Sequence, residues 1–145
     1  MPDILHRFTI DAAPARVHDL IATAAGVERW WTGHPNRLDG ATLSVFFGGD
    51  APAAVFEVAE DGPDRVVWRV VDGPADWVGT TVAFVLRARE DGGTTLLFTH
   101  GGWREANEFM HGCSTNWGAY LTSLKTGAEG GAFGAYPAGE MSRWR

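Results

Sequence analysis

Residues 105–126 read EANEFMHGCSTNWGAYLTSLKT. Within them Phe109, Cys113, Asn116, Trp117, Tyr120, Leu121 and Leu124 fall on one broad stripe at helical spacing. The pattern predicts a long amphipathic helix, with Gly127 as a suitable C-cap. Gly112 and Gly118 each weaken it as an isolated helix by roughly 1 kcal/mol relative to alanine. Such a helix needs a partner surface to hold it.

The partner is written immediately upstream. Residues 41–99 change to short β-type runs broken by turn residues. Leu43 to Phe47, Ala53 to Val58, Arg65 to Val71, Thr80 to Arg89 and Thr94 to His100 are each strand-length. Between them stand Gly48-Gly49-Asp50, the stretch Glu60 to Asp64, Asp72-Gly73-Pro74, and Glu90 to Gly93. Loops this short imply an antiparallel meander, because parallel pairing needs long crossovers. Leu5 to Ile10 predicts a further strand. Pro14, followed by Val17, Leu20 and Ile21, predicts a short helix that Gly26 ends, and Val27 to Trp31 a second helical turn. The expected fold is α+β. A curved antiparallel sheet of about six strands grips a long C-terminal helix, with two short helices after the first strand. Residues 1–145 are expected to form one domain, with 130–145 a loosely structured tail.

Alternation then assigns faces. Val82, Phe84 and Leu86 share a side that should face the helix, since Arg87, on the other side, belongs in water. Leu96, Phe98 and His100 form a second inward set, and Val66, Trp68 and Val70 a third. From the helix, Phe109, Cys113, Trp117 and Tyr120 should face them, with Trp30 and Trp31 closing one mouth. Rings of this size either pack densely or leave irregular gaps. These residues either fill a core or line an apolar cavity.

Composition narrows the partners. The formal net charge is −6 and Lys125 is the sole lysine. Nucleic-acid binding and anionic membranes both call for clustered cations, which are absent. No apolar run approaches the ~20 residues of a membrane span. One cysteine, Cys113, fits a reducing compartment, and the N-terminus lacks a signal pattern, so a cytoplasmic protein is expected. His6, His18, His34, His100 and His111 are dispersed without metal-ligand spacing, so no metal is expected. No nucleotide fingerprint occurs, and no cofactor is expected.

Two residues could carry acid/base chemistry. His100 ends a strand on the inward face beside Gly101-Gly102. It could orient a ligand or shuttle protons, or its ring nitrogens could be satisfied by backbone carbonyls at a strand end. Glu57 sits in an apolar strand, where burial would raise its pKa, although Arg69 could pair with it in solvent. Asp50 and Asp76 read as turn formers or caps.

The order of elements resembles the START-like (SRPBCC) superfamily. Within it the chain is similar to the group of the activator homologue of the ninety-kilodalton heat-shock protein ATPase. The stretches that carry the resemblance are Phe8 to Val17 (FTIDAAPARV), Trp30-Trp31, Val55 to Val58 (VFEV), Val66 to Trp68 (VVW), Gly79 to Leu86 (GTTVAFVL), Thr95 to Trp103 (TLLFTHGGW), Cys113 to Trp117 (CSTNW) and Tyr136-Pro137. Gly33-His34-Pro35-Asn36 stands where that group carries more charged residues. The resemblance implies a helix-grip fold and three kinds of function. The first is binding of a small hydrophobic or aromatic ligand in a cavity lined by Trp30, Trp31, Trp68, Phe84, Leu86, Phe98, His100, Phe109, Cys113, Trp117 and Tyr120. The second is a cyclase or dehydratase using His100 or Glu57 as acid/base. The third is cochaperone-like interaction with a chaperone partner in a stress response, the chain being a monomer or homodimer.

Overall fold

The computed structural model describes residues 1–134. The Tyr136-Pro137 ending lies outside them. The chain runs β1 (Ile4–Ile10), α1 (Pro14–Ala22), α2 (Ala24–Val27), a π-helical turn (Glu28–Thr32), β2 (Arg37–Asp39), β3 (Thr42–Val45), β4 (Ala54–Gly62), β5 (Arg65–Asp72), β6 (Thr81–Ala88), β7 (Thr94–Gly101) and α3 (Glu108–Ala128). The strands form one antiparallel sheet in the order β1-β7-β6-β5-β4-β3-β2. The first strand therefore pairs with the last, and the middle of the chain is a meander.

The sheet has seven strands, one more than expected. β2 is only three exposed residues long, too short to show alternation in sequence. β4 also runs on through Glu60 and Gly62, which read as turn residues. Register shifts between Val55 and Phe56 and between Val58 and Glu60 let it do so. Bulges of this kind bend a strand and increase its twist, which helps the sheet curl around a helix.

The inward sets predicted from alternation are all buried: Val66, Trp68 and Val70; Val82, Phe84 and Leu86; Leu96, Phe98 and His100. Their outward neighbours Arg69 and Arg87 are exposed.

α3 starts three residues later than expected and ends two later. Asn107 caps it by accepting the Met110 N–H at 3.0 Å. Gly127 lies inside the helix, and the chain leaves helical conformation at Gly130 (φ 92°). Two contacts pin α3 to the sheet edge. His6 Nε2 meets the Ser114 carbonyl oxygen at 3.1 Å, and Lys125 Nζ donates to the Thr9 carbonyl.

The short helices cover the other half of the sheet. α1 ends at Ala22, and Gly26 stands within α2 rather than ending α1. A Cβ there would lie 2.6–2.8 Å from the Asp19 and Leu20 backbone, so only glycine lets α2 fold back this closely. The turn that follows is fastened by Trp30 Nε1, which donates to the Leu20 carbonyl at 2.7 Å.

Candidate functional site

The centre of the grip is a cluster of rings organised around Trp31. Its indole contacts Trp30, Phe47, Phe56, Trp68, Trp117 and Tyr120. It stacks on Trp68 with centroids 6.1 Å apart and approaches Trp117 to 4.9 Å. Trp31 is 3% exposed and Trp30 is fully buried. The pair does not close a mouth. The π-helical turn pushes both indoles inward, and Trp31 occupies the space between sheet and helix that was expected to lie open.

His100 lies at the far end of β7, also fully buried. Trp117 Nε1 donates to His100 Nδ1 at 3.1 Å. An indole N–H can only donate, so Nδ1 carries no proton and the neutral ring is protonated at Nε2. Nε2 then donates to Thr80 Oγ1 at 2.8 Å, and the Thr80 hydroxyl donates to the Trp77 carbonyl. Burial lowers the His100 pKa to about 3. Both ring nitrogens are thus satisfied, by side chains rather than by strand-end carbonyls. The imidazole ties α3, β7 and the 73–80 loop together and presents no free lone pair or acidic proton to a ligand.

Glu57 is on the opposite, outer face of the sheet. Its carboxylate accepts from Arg69 Nη2 at 2.8 Å, with both side chains about half exposed. Of the two readings of Glu57, pairing with Arg69 in solvent is the one that holds: residue 57 alternates with buried Phe56 and faces water. Phe109, by contrast, is displaced from its expected inward place. It is half-buried against Trp103, and Met110 takes the inward position. Leu86 is buried but pairs with Leu96, four register positions along the β6–β7 ladder from the Val82–His100 pair.

What the structure gathers instead, at the edge of the ring cluster, is Trp77 against the Trp117 face of α3. Trp77, from the 73–80 loop, stacks on Trp117 at 6.0 Å and meets His100 edge-on at 5.0 Å. Its Nε1 is buried, and among the described residues it finds only the Cys113 sulfur, a weak partner. On α3, Cys113, Asn116, Trp117 and Tyr120 share a face at i, i+3, i+4 and i+7, with Asn116 on the side away from β1. Asn116 Oδ1 is buried and unpartnered among the described residues. Burial pushes the Cys113 thiol up to about 11 and raises the Tyr120 hydroxyl; for Cys113 a hydrogen bond from the Trp77 indole opposes the shift and the Asp76 charge adds to it. A thiol so shifted is not a nucleophile near neutral pH. Asp76 accepts from Asn107 Nδ2 at 3.3 Å, which joins this loop to the start of α3.

Trp77 and Asn116 were not among the residues expected to form a site. Trp77 sits in a loop without periodicity. Asn116 was visible in the helical stripe, but nothing in sequence showed that its amide oxygen would be buried without a donor.

A separate cleft of about 260 Å³ is lined in part by Trp68. Ile21, Leu43, Val66 and Trp68 form its apolar wall, with Thr23, Glu60 and Asp61 at its edge. Among the described residues, no group of three or more His, Cys, Asp or Glu is placed to share a metal ion. No described helix is long and apolar enough to cross a membrane.

A curved sheet whose first strand pairs with its last, gripping a C-terminal helix, is the arrangement that the sequence resemblance implied. Residues 11–129 match the family described as Activator of Hsp90 ATPase homolog 1-like protein. The chain belongs to this family. Among solved structures, the family member is similar to the Aha1 dimer from Colwellia psychrerythraea, with 33% identity and a TM-score of 0.78 over 89% of this chain and 97% of that one. It shares its fold with an Hsp90 activator from Plasmodium falciparum, at 19% identity and a TM-score of 0.67, over 84% and 92% of the two chains. The fold likewise recurs in CalU16 from Micromonospora echinospora, at 19% identity and a TM-score of 0.68, over 88% and 74%. No curated protein matches the sequence.

Proposed function

We propose that the chain is a binding module for a small, largely apolar aromatic molecule, seated at the notch between Trp77 and α3. The observation that carries this reading is the buried, unpartnered amide oxygen of Asn116, together with a Trp77 indole N–H whose only partner is the weakly accepting Cys113 sulfur. Trp77 Nε1 offers a donor and Asn116 Oδ1 an acceptor, on a wall otherwise made of rings. Buried polar groups are nearly always satisfied, and a ligand with a hydroxyl or amide would satisfy these. Pockets of this class are mainly apolar with few polar anchors. The occupied nitrogens of His100 and the exposure of Glu57 favour binding over acid/base catalysis.

The test compares naphthol with naphthalene by calorimetry. Naphthol should bind about tenfold more tightly, which corresponds to one satisfied hydrogen bond. Trp77→Phe keeps a ring but removes the donor, and should abolish that preference. Equal affinities in the parent protein, or a preference that survives in Trp77→Phe, would remove the notch from consideration.

A second reading is interaction with an Hsp90-type chaperone, with the chain as monomer or homodimer. It is supported by the family match and by the 33% identity to a protein named Aha1 that was solved as a dimer. The expected outcome is stimulation of the chaperone's ATPase rate on addition of this chain. An unchanged rate at saturating chain argues against it.

A further inference from the structure

The segment Gly33-His34-Pro35-Asn36, which departs from the family's charged pattern, folds against the loop after β3. Together they enclose an open depression of about 430 Å³, lined by His34, Pro35, Asn36, Arg37, Phe46, Gly48 and Gly49. No acidic side chain lines it, although the chain as a whole carries a net charge of −6. Asp50 follows Gly49 in sequence but is exposed and outside the lining.

The donors around this depression are set in place. Asn36 Oδ1 accepts the Phe46 N–H at 3.0 Å, which fixes the orientation of the amide. Its Nδ2 is therefore the other arm, buried, with no acceptor among the described residues. The Arg37 guanidinium is held over the Phe46 ring at 5.4 Å, with no carboxylate pairing it among the described residues. The loop passes at Gly48 with φ 89°, and a Cβ there would meet the His34 ring at 3.0 Å, so backbone approaches the imidazole closely. The N–H groups of Gly48 and Gly49 make no hydrogen bond among the described residues.

A cation, an unpartnered amide donor, an imidazole and two glycines thus belong to the lining of one depression, with no acidic side chain among them. We infer that this depression is an oxyanion site, for a carboxylate or phosphate group on a small molecule. Arg37 would engage the anion through its planar fork and Asn36 Nδ2 would donate beside it. The site lies apart from the Trp77 notch and does not depend on it. A ligand in either could leave the other empty.

The test is an NMR titration of the chain with inorganic phosphate and, separately, acetate, at constant ionic strength maintained with chloride. Saturable shifts confined to residues 34–37 and 46–49 are expected with at least one anion, and the tighter of the two identifies the headgroup. Arg37→Gln, a change at an exposed position, should weaken that binding at least tenfold, and Arg37→Lys less. Shifts that never saturate, that spread evenly over the surface, or that persist unchanged in Arg37→Gln would overturn the assignment.

Discussion

Replacing Trp31 with alanine is expected to lower the unfolding free energy by about 3–5 kcal/mol, the range for truncating a buried indole. The value should fall at the upper end. Trp31 touches rings from the sheet, from α3 and from the loop after β3 at once, so no single neighbour can collapse into the space. Urea denaturation with an unchanged slope would report it directly. The void should also take up benzene-like probes, because a cavity walled by apolar groups stays dry and accepts them. A loss below about 1 kcal/mol would mean that the indole is not packed as described.

The second large effect is a pH dependence rooted in His100. Its folded pKa is about 3, against an unfolded value of 6.5. Above pH 6.5 the ring is neutral in both states and contributes nothing to the pH dependence. As pH falls through 6.5 the unfolded chain takes up a proton that the folded chain refuses, so stability declines with a slope approaching 1.4 kcal/mol per pH unit. The decline continues until pH approaches 3, where the folded ring also protonates, and its total is on the order of 5 kcal/mol. His6 is shifted in the same direction by burial, and Glu129 is held low mainly by the Asp11 N–H and by Lys125, so other groups add to the acid sensitivity. The measurement is therefore a difference. Between pH 6 and 4.5 the parent protein should lose one proton's worth more stability per pH unit than His100→Asn. Parallel slopes in the two proteins would contradict a neutral, buried His100.

The architecture was readable because sheet alternation and helical spacing are strong signals. The sets Val82-Phe84-Leu86 and Leu96-Phe98-His100 differ from their neighbours by simple period-two patterning, and burial follows it. What escaped was everything that depends on where a loop or an irregular turn aims a side chain. Trp30 and Trp31 are adjacent, so no periodicity says whether they cap the grip or fill it. A π-helical turn decided the matter. Glu57 shows the opposite case: its alternation with Phe56 and the nearby Arg69 already offered the outward, ion-paired reading that the structure has. For His100 the face was legible and the partners were not, since Thr80 and Trp117 lie 20 and 17 residues away along the chain. The donor-only nature of the Trp117 indole settles a proton position that sequence could never reach.

The stacked pairs Trp31–Trp68 and Trp77–Trp117, both near 6 Å, have an optical consequence. Indoles held this close in fixed orientation couple their electronic transitions. The folded chain should therefore carry an intense near-ultraviolet dichroism that vanishes with tertiary structure alone. The molecule is thus its own spectroscopic probe, and the packing of its indoles can be followed without a label.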